Sequence, residues 1–216
     1  TRAQAALAEV LAPLSALRAK ASVRLAREVS RELSRLGMAD ARFSVELPPP
    51  ADGLTLPGRA DPVGERGAET AAFHLAANPG EPGGPLSRVA SGGELSRVML
   101  ALKSVLGQAD PVRLAVFDEV DAGIGGLVAE AVAKRLAAMA RDRQVLVVTH
   151  LAVIAGQGSR HLHVQKATAG KRTRVEMTVL DGAERESELA RMLAGSAGGE
   201  DARRTARSLL KETGKV

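Results

Sequence analysis

The stretch Val89-Ala90-Ser91-Gly92-Gly93-Glu94-Leu95-Ser96-Arg97 decides how this chain is interpreted. Two glycines lie where a loop is predicted to become a helix, so the backbone can approach a ligand without interference from a Cβ atom. Free amides at the helix start and the helix dipole favour an anion there, such as a γ-phosphate. The alternative is a capping box, in which Ser91 and Glu94 satisfy helix amides reciprocally. Taken alone, the segment favours the cap, whereas the motifs that follow favour the phosphate.

Two adjacent carboxylates follow the apolar run Leu114–Phe117, which predicts a fully buried strand. Asp118 and Glu119 are therefore expected at the carboxyl end of that strand, where open α/β sheets bind ligands. We expect Asp118 to hold Mg²⁺ through water, because this ion keeps much of its hydration shell. Glu119 is expected to orient and deprotonate an attacking water. A pair of solvated acids is the alternative.

An acidic turn and a histidine extend this pattern. Asp121 precedes a glycine-rich segment, which predicts a flexible turn, with a helix cap as the alternative. His150 follows a second apolar strand, Gln144–Val148, so parallel pairing would bring it to the end of the sheet that carries Asp118. There a histidine can donate a hydrogen bond to a γ-phosphate and to the lytic water. His161 and His163 alternate on one strand without other ligands, so no metal site is predicted there.

The first third of the chain combines a long helix with two strands. Residues 3–36 form an amphipathic pattern that Gly37 ends and that Pro13 is expected to kink or interrupt. Core packing and a coiled-coil strand both fit its apolar stripe. Strands are predicted over 42–47 and 70–77, and the Pro/Gly-rich tract between them, residues 48–67, predicts a mobile loop.

The rest of the chain alternates helices with strands, which predicts an α/β sheet with parallel core strands. Helices are expected over 94–106 and 126–140, and strands over 113–117 and 144–148. A hairpin follows, with strands over 161–166 and 173–180, and helices over 184–194 and 201–212 end the pattern.

Composition narrows the class of protein. A net charge of +5 favours a polyanionic partner such as DNA, and three Phe with no Trp or Tyr argue against binding single strands by base stacking. No Cys is present, which excludes a disulfide framework and a thiolate metal site. The apolar runs are too short to span a membrane, and residues 1–20 lack the apolar core of a signal peptide. We therefore expect a cytoplasmic protein with no membrane partner.

Three blocks together, Val89–Lys103, Phe117–Gly126 and Val148–Gly156, resemble the RecN family of bacterial SMC-like DNA-repair ATPases. The likeness covers roughly residues 65–210. It implies that the chain carries five features of an ABC-type head: the signature, a magnesium-side acid, a catalytic glutamate, an acid at the dimer seam and a switch histidine. On this resemblance the signature is Ser91, Gly92, Gly93 and Glu94, the magnesium-side acid Asp118, the catalytic glutamate Glu119, the seam acid Asp121 and the switch histidine His150. Ala90 and Glu94 depart from the general ABC pattern of Leu and Gln, but they match RecN usage.

The same resemblance implies an architecture. No G-x-x-x-x-G-K-[ST] phosphate loop occurs in the 216 residues, so the chain is predicted to carry half of an active site. The implied fold is α/β, the C-terminal half of an SMC-like ATPase head with a mixed sheet and flanking helices. Residues 1–37 would be the helix that returns from a coiled coil, and residues 38–216 the C-terminal lobe.

The implied partners follow from this architecture. An N-terminal half would bring the phosphate loop, and a second head would complete a homodimer that sandwiches ATP and Mg²⁺. DNA would be the substrate, held near the nucleoid during double-strand break repair.

Two other functions fit parts of the pattern. The nucleotide-binding subunit of a membrane transporter shares the motifs, but its phosphate loop would precede the signature within one compact domain, and residues 1–88 contain none. A non-catalytic DNA-tethering module is the second alternative. Intact Glu119 and His150 favour hydrolysis over that reading.

Overall fold

A 34-residue helix, α1 (Arg2–Arg35), begins the computed structural model of the chain. The structure describes residues 2–80, 82–88, 91–169, 172–195 and 199–212. Val89 and Ala90 of the quoted stretch, and Gly170 of the predicted hairpin turn, lie outside the described residues. The chain divides into two units, Thr1–Gly107 and Gln108–Val216, and each has a hydrophobic cluster of its own.

The first unit packs α1 against a small antiparallel sheet and a second helix. Strand β1 pairs with β2 and β2 with β3, with Phe43 opposite Leu75. The elements after α1 are β1 (Arg42–Glu46), β2 (Ala72–Ala76), β3 (Gly84–Pro85), a 3-10 turn (Leu86–Arg88) and α2 (Gly92–Leu106). The predicted strands and the predicted helix after the signature are confirmed, with their ends moved by one or two residues.

Helix α1 runs unbroken through Pro13, so the predicted interruption there is wrong, while the predicted kink stays a prediction. Leu11, two residues before the proline, is buried with Leu56, Val63 and Ala68, and this packing holds the helix near the point where it lacks a backbone donor. The predicted end is confirmed. Gly37 adopts φ +80°, and the amide of Met38 donates to the carbonyl of Leu33 at 3.0 Å, as in a Schellman cap.

The Pro/Gly-rich tract after β1 is not the mobile loop that its composition predicts. Leu54 and Val63 pair through two backbone hydrogen bonds of 2.8 and 3.0 Å, and the tract buries Leu56 and Val63 in the cluster around Leu11. Apolar side chains spaced along an otherwise turn-rich tract supply enough buried area to order it on α1. Composition alone does not reveal that packing.

Polar contacts fasten the end of this tract to α1. The Glu69 carboxylate accepts hydrogen bonds from Ser15 Oγ and from Arg18 Nη1, the latter at 3.0 Å. The Ser15 hydrogen bond and the Arg18 guanidinium lower the pKa of Glu69, against the opposing effect of burial. The tract is therefore held on the helix by an ion pair as well as by apolar packing.

The second unit combines a parallel strand pair, a hairpin and four helices among its described residues. Strand β4 pairs with β5 in parallel, with Phe117 opposite Val147, and β6 pairs with β7 in an antiparallel hairpin. These elements are β4 (Leu114–Phe117), α3 (Gly126–Met139), β5 (Gln144–Val147), α4 (Ala152–Ala155), β6 (His161–Ala169), β7 (Arg172–Leu180), α5 (Gly182–Ala194) and α6 (Glu200–Glu212). The parallel pair, the hairpin and the closing helices are confirmed, whereas α4 was not predicted.

The predicted full burial of the two parallel strands is wrong. Along β4, Ala115 and Phe117 are buried, while Leu114 and Val116 are 51% and 58% exposed. On β5 and just after it, Leu146 and the following Val148 are 46% and 56% exposed. Within the described residues, only one face of this sheet is covered, so an apolar surface stays open on the other.

A buried ion pair braces the start of both parallel strands. Asp110 precedes β4, Arg143 precedes β5, and Arg143 Nη1 lies 2.6 Å from Asp110 Oδ2 with both side chains less than a tenth exposed. Asp110 Oδ1 also accepts from the amide of Val112 at 3.1 Å. The pair therefore helps to set the register of β4 against β5. Because both strands have four residues, their carboxyl ends then lie side by side.

The predicted boundary after residue 37 falls inside the first unit, where α1 packs on β1 and α2. Division into a coiled-coil helix and a C-terminal lobe stays a prediction. Among the described residues, no helix combines the length and the apolar character that crossing a bilayer requires.

Replacing Arg143 with Met tests the brace. The substitution leaves the buried Asp110 carboxylate without this cation, so we expect the free energy of unfolding to fall by about 3–5 kcal/mol in urea denaturation. Arg204→Met is the matched control, because Arg204 and Asp201 form a 2.6 Å pair on α6 with side chains 78% and 90% exposed. That variant should lose less than about 1 kcal/mol. Equal losses in the two variants would contradict the assignment.

Candidate functional site

The signature residues form the start of α2. Ser91 is the N-cap, with φ −112° and ψ 128°, and its Oγ accepts a hydrogen bond from the amide of Glu94 at 3.4 Å. Ser91 and Gly92 are exposed, whereas Gly93 is buried. One half of the predicted capping box is observed, the hydrogen bond from the Glu94 amide to Ser91 Oγ, and the reciprocal bond from Glu94 to Ser91 stays a prediction. Ser91 and Gly92 remain accessible at the start of the helix. The cap and an anion site are compatible here.

Arg97, one turn further along α2, is only 7% exposed and carries a buried charge. The sequence analysis did not predict it. Burial lowers the pKa of Arg97, and the nearby Glu94 carboxylate acts in the opposite direction. The apolar periodicity places position 97 on the buried face of the helix. A charged residue on that face was the sequence feature that could have identified Arg97.

Asp118 and Glu119 stand at the carboxyl end of β4, and both are exposed, as predicted. The parallel ladder extends one step beyond the strand, since the amide of Val148 donates to the carbonyl of Phe117 at 2.9 Å. Exposed carboxylate oxygens suit Mg²⁺, which takes one or two of them and completes its shell with water and phosphate oxygens. The residues present therefore fit the implied ion.

Glu119 has an unusual backbone. Its φ is +56°, and it is the one non-glycine residue in the described ranges with a positive φ. A left-handed conformation in a residue with a Cβ costs about 1–2 kcal/mol. The turn retains it through a 3.0 Å hydrogen bond from the amide of Ala122 to the Glu119 carbonyl. The side chain predicted to act as a base is thus held in a strained turn that sets its direction.

Asp121 is the buried centre of this site, at 3% exposure. Its Oδ2 accepts a hydrogen bond from Thr149 Oγ1, accepts another from the amide of His150 at 2.9 Å, and lies 3.0 Å from His150 Nδ1. The flexible turn expected from the glycines around it is wrong for this residue, because three donors converge on one carboxylate oxygen. Asp121 therefore ties the loop after β4 to the loop after β5.

His150 lies at the same end of the parallel sheet as Asp118 and Glu119, as predicted. The His150 side chain is 74% exposed although its Nδ1 is held by Asp121. A neutral imidazole that donates from Nδ1 presents a lone pair at Nε2, and a protonated one presents an N–H donor there. The ring is consequently oriented by one nitrogen and available for chemistry at the other.

A polar cavity adjoins His150 within the second unit. Thr149, His161, His163 and Glu188 contribute to its lining. Arg191 Nη2 lies 2.6 Å from Glu188 Oε1, and this contact lowers the pKa of Glu188, whereas burial lowers the pKa of His161. Across the ranges that the structure describes, no group of three or more His, Asp or Glu residues is arranged to hold a metal ion.

The signature belongs to the first unit, and Asp118, Glu119, Asp121 and His150 belong to the second. The structure thus brings these four residues of the second unit together at one end of the parallel sheet. The roles of all these residues stay predictions.

Comparisons with known proteins identify relatives of the chain. No family model matches the chain. It is 44% identical over 200 residues to the DNA repair protein RecN of Streptomyces coelicolor, covering 92% of this chain and 35% of the relative. It is 47% identical over 163 residues to RecN of Treponema pallidum, covering 76% of this chain and 28% of the relative. The chain thus spans about a third of the length of the curated relatives it matches.

Among solved structures, the Smc head domain with a coiled coil and joint from Pyrococcus yayanosii matches with a TM-score of 0.51. The match has 18% sequence identity and covers 80% of this chain and 29% of the other. At that identity the likeness concerns the fold, which is that of part of an SMC head domain.

Asp121→Asn tests whether the buried carboxylate orients His150. We expect the neutral imidazole to lose its preference for a proton on Nδ1, and stability to fall by about 1–3 kcal/mol because an amide cannot accept from all three donors. Nitrogen-15 NMR of histidine-labelled protein reports the tautomer. Asp142→Asn, the same substitution at an exposed position before β5, is the control and should leave His150 unchanged. An unaltered tautomer in the Asp121 variant would refute the orienting role.

Proposed function

Because this chain belongs to the RecN family of DNA-repair proteins over the third of their length that it spans, we propose that it forms the C-terminal part of an ATP-hydrolysing head. In this proposal the whole protein repairs double-strand breaks by joining heads on ATP and separating them after hydrolysis. The observation that carries it is the Asp121 bridge, which orients His150 at the sheet end that presents Asp118 and Glu119. The relatives are DNA-repair proteins, so the transporter alternative has no observation in its favour.

We assign the hydrolytic roles within the second unit from this geometry. Asp118 offers an exposed carboxylate for Mg²⁺, and bound Mg²⁺ would neutralise charge on the nucleotide phosphates. Glu119 would accept a proton from the attacking water, and the direction that its strained turn gives the side chain supports this role. In its protonated form His150 would donate a hydrogen bond from Nε2 to the γ-phosphate, while Asp121, which lies 3.0 Å from Nδ1, acts as its positioning residue.

The signature is assigned to the opposite side of the nucleotide. The exposed residues Ser91 and Gly92 at the start of α2 provide amides and a hydroxyl for a γ-phosphate held by a partner head. ATP would then be sandwiched between two heads, each supplying a different half of the site. This geometry makes hydrolysis depend on head pairing.

Two open apolar surfaces support the proposed N-terminal half. The parallel sheet leaves Leu114, Val116 and Leu146 exposed on one face, a surface that additional elements carrying the phosphate loop would cover. On α1, Val10 and Leu17 are 59% and 66% exposed at the seven-residue spacing of a coiled-coil seam. A second helix lying along that seam would form the proposed coiled coil.

DNA is the proposed substrate, and its phosphates the main point of contact. The net charge of +5 and the lack of Trp and Tyr favour Lys and Arg contacts to the backbone over base stacking. We place the whole protein in the cytoplasm, where it would meet the nucleoid. A tether that joins and releases through ATP suits the holding of broken ends or neighbouring duplexes.

We expect the 216-residue chain by itself neither to bind ATP tightly nor to hydrolyse it. The amides and the lysine that hold the β- and γ-phosphates come from a phosphate loop that this sequence does not contain. Adding an N-terminal half that carries this loop should restore binding and turnover in a coupled ATPase assay. Substantial Mg-ATP turnover by the chain alone would overturn the argument.

Two substitutions in the complete protein should stop the cycle at different points. Glu119→Gln keeps the side-chain shape and removes the base, so ATP should join the heads while turnover falls by roughly 10²-fold or more. Ser91→Arg places a bulky cation where the signature must approach the nucleotide of its partner, so heads should bind ATP but fail to pair. Sizing chromatography with ATP and a steady-state ATPase assay separate these outcomes.

A mixing experiment tests whether Ser91 acts across the interface. The Ser91→Arg protein is combined with one that lacks only its phosphate-loop lysine. One site of a mixed dimer then joins an intact lysine to the intact signature of the partner, so partial activity should return. Mixtures that stay inactive despite verified mixed dimers would contradict the trans assignment.

A further inference from the structure

A row of cations lies along one side of α1. At 3.6 residues per turn, the five positions fall within roughly a quarter of the helix circumference and extend over about 22 Å of its length. Arg27 and Arg31 each have side chains 61% exposed, and that of Arg35 is 67% exposed. The basic stripe consists of Lys20, Arg24, Arg27, Arg31 and Arg35, all of them in exposed positions.

The packing of α1 determines which way this stripe points. Val29 and Leu33 are fully buried, and they lie on the side of the helix roughly opposite the stripe. That buried side accounts for the packing of α1 on β1 and α2 in the first unit. The stripe is therefore directed away from the body of its own unit. The stripe lies on the same side of the helix as the exposed residues Val10 and Leu17, and it begins after them, so a helix paired along Val10 and Leu17 would have to end before Lys20 to leave the stripe open.

Intrahelical acids only partly neutralise the stripe. Glu28 Oε1 lies 3.3 Å from Arg27 Nη2 and 3.1 Å from Arg31 Nη1, while Arg35 Nη1 lies 2.6 Å from Glu32 Oε1. The two Glu28 pairs join side chains that are 61% and 39% exposed, so they are weak and an incoming phosphate can displace them. Glu32 is only 12% exposed, so its pair leaves Arg35 the most neutralised cation of the stripe. Within the part of the chain that the structure describes, no salt bridge involves Lys20 or Arg24. Five cations thus face two acids.

We propose that the basic stripe of α1 binds the phosphate backbone of double-stranded DNA, an inference that rests on the DNA-repair function proposed above. Each strand of a duplex carries one phosphate per 3.4 Å of helix axis, so a row about 22 Å long matches roughly six base-pair steps. The stripe has no aromatic side chain on which a base could stack. Contacts from Lys and Arg to phosphate set the position of a protein on DNA without reading its sequence.

The experiment neutralises the stripe in the complete protein. Lys20, Arg24, Arg27 and Arg31 are replaced together with Gln, which has a helix propensity close to theirs and preserves α1. The matched control carries Lys134→Gln, Arg141→Gln, Arg203→Gln and Lys211→Gln, which remove the same charge from exposed positions of the second unit. Fluorescence anisotropy with a labelled blunt-ended duplex measures affinity over a series of salt concentrations, and an ATPase assay without DNA measures basal turnover.

In the stripe variant we expect affinity to fall by about 10-fold or more near 0.1 M salt, and the slope of log K against log salt to decrease by roughly 3 to 4. The control should keep the slope within about 1 of the parent. Basal turnover should be unchanged in both, since neither set touches the proposed nucleotide site. Circular dichroism confirms that α1 remains helical.

The possible failures are distinguishable. If the parent protein itself binds no duplex, the proposed function fails together with this inference. If the parent binds and the stripe variant retains its affinity and salt slope, DNA contacts lie elsewhere, and only the stripe proposal is overturned. If the stripe variant and the control lose equal affinity for the duplex, the effect is due to net charge, and the stripe proposal is overturned as well.

Discussion

The candidate site depends on one buried carboxylate. Asp121 Oδ2 receives the hydroxyl of Thr149, the amide of His150 and the imidazole of the same histidine. A two-stranded parallel sheet has few hydrogen bonds of its own, so this convergence is what holds the two strand-end loops together. Because the carboxylate is buried, losing one donor would leave an acceptor that water cannot easily satisfy. The same contacts of Asp121 therefore determine both the position of His150 and the stability of the two loops.

Helix α1 meets two demands with one amphipathic pattern. Its buried side packs on the first unit, and the Pro/Gly-rich tract clamps it through Leu56, Val63 and the Arg18–Glu69 ion pair. Its other side carries charge that the unit does not use. A helix held firmly on one side can present the opposite side as a rigid surface, which lowers the entropic cost of binding a rigid partner such as duplex DNA.

The uncovered face of the parallel sheet disagrees with what the sequence of its strands indicates. An apolar run such as Leu114–Phe117 indicates a strand covered on both faces, and in this structure one face is covered. The sequence therefore specifies more burial than the described residues provide. This mismatch and the missing phosphate loop independently support the proposal that another segment completes the head.

The sequence by itself determined the order and type of the longer elements, because apolar periodicity, glycine punctuation and capping residues act within a few residues of one another, whereas the short elements β3 and α4 were not predicted. It also predicted that Asp118, Glu119 and His150 share one end of a sheet if the two apolar strands pair in parallel, and the structure shows that they do. Only the tertiary structure decided that Asp121 is buried beneath His150, that the tract around Leu56 is packed and that one face of β4 is open. Those features depend on contacts between residues distant in sequence, which local patterns do not encode.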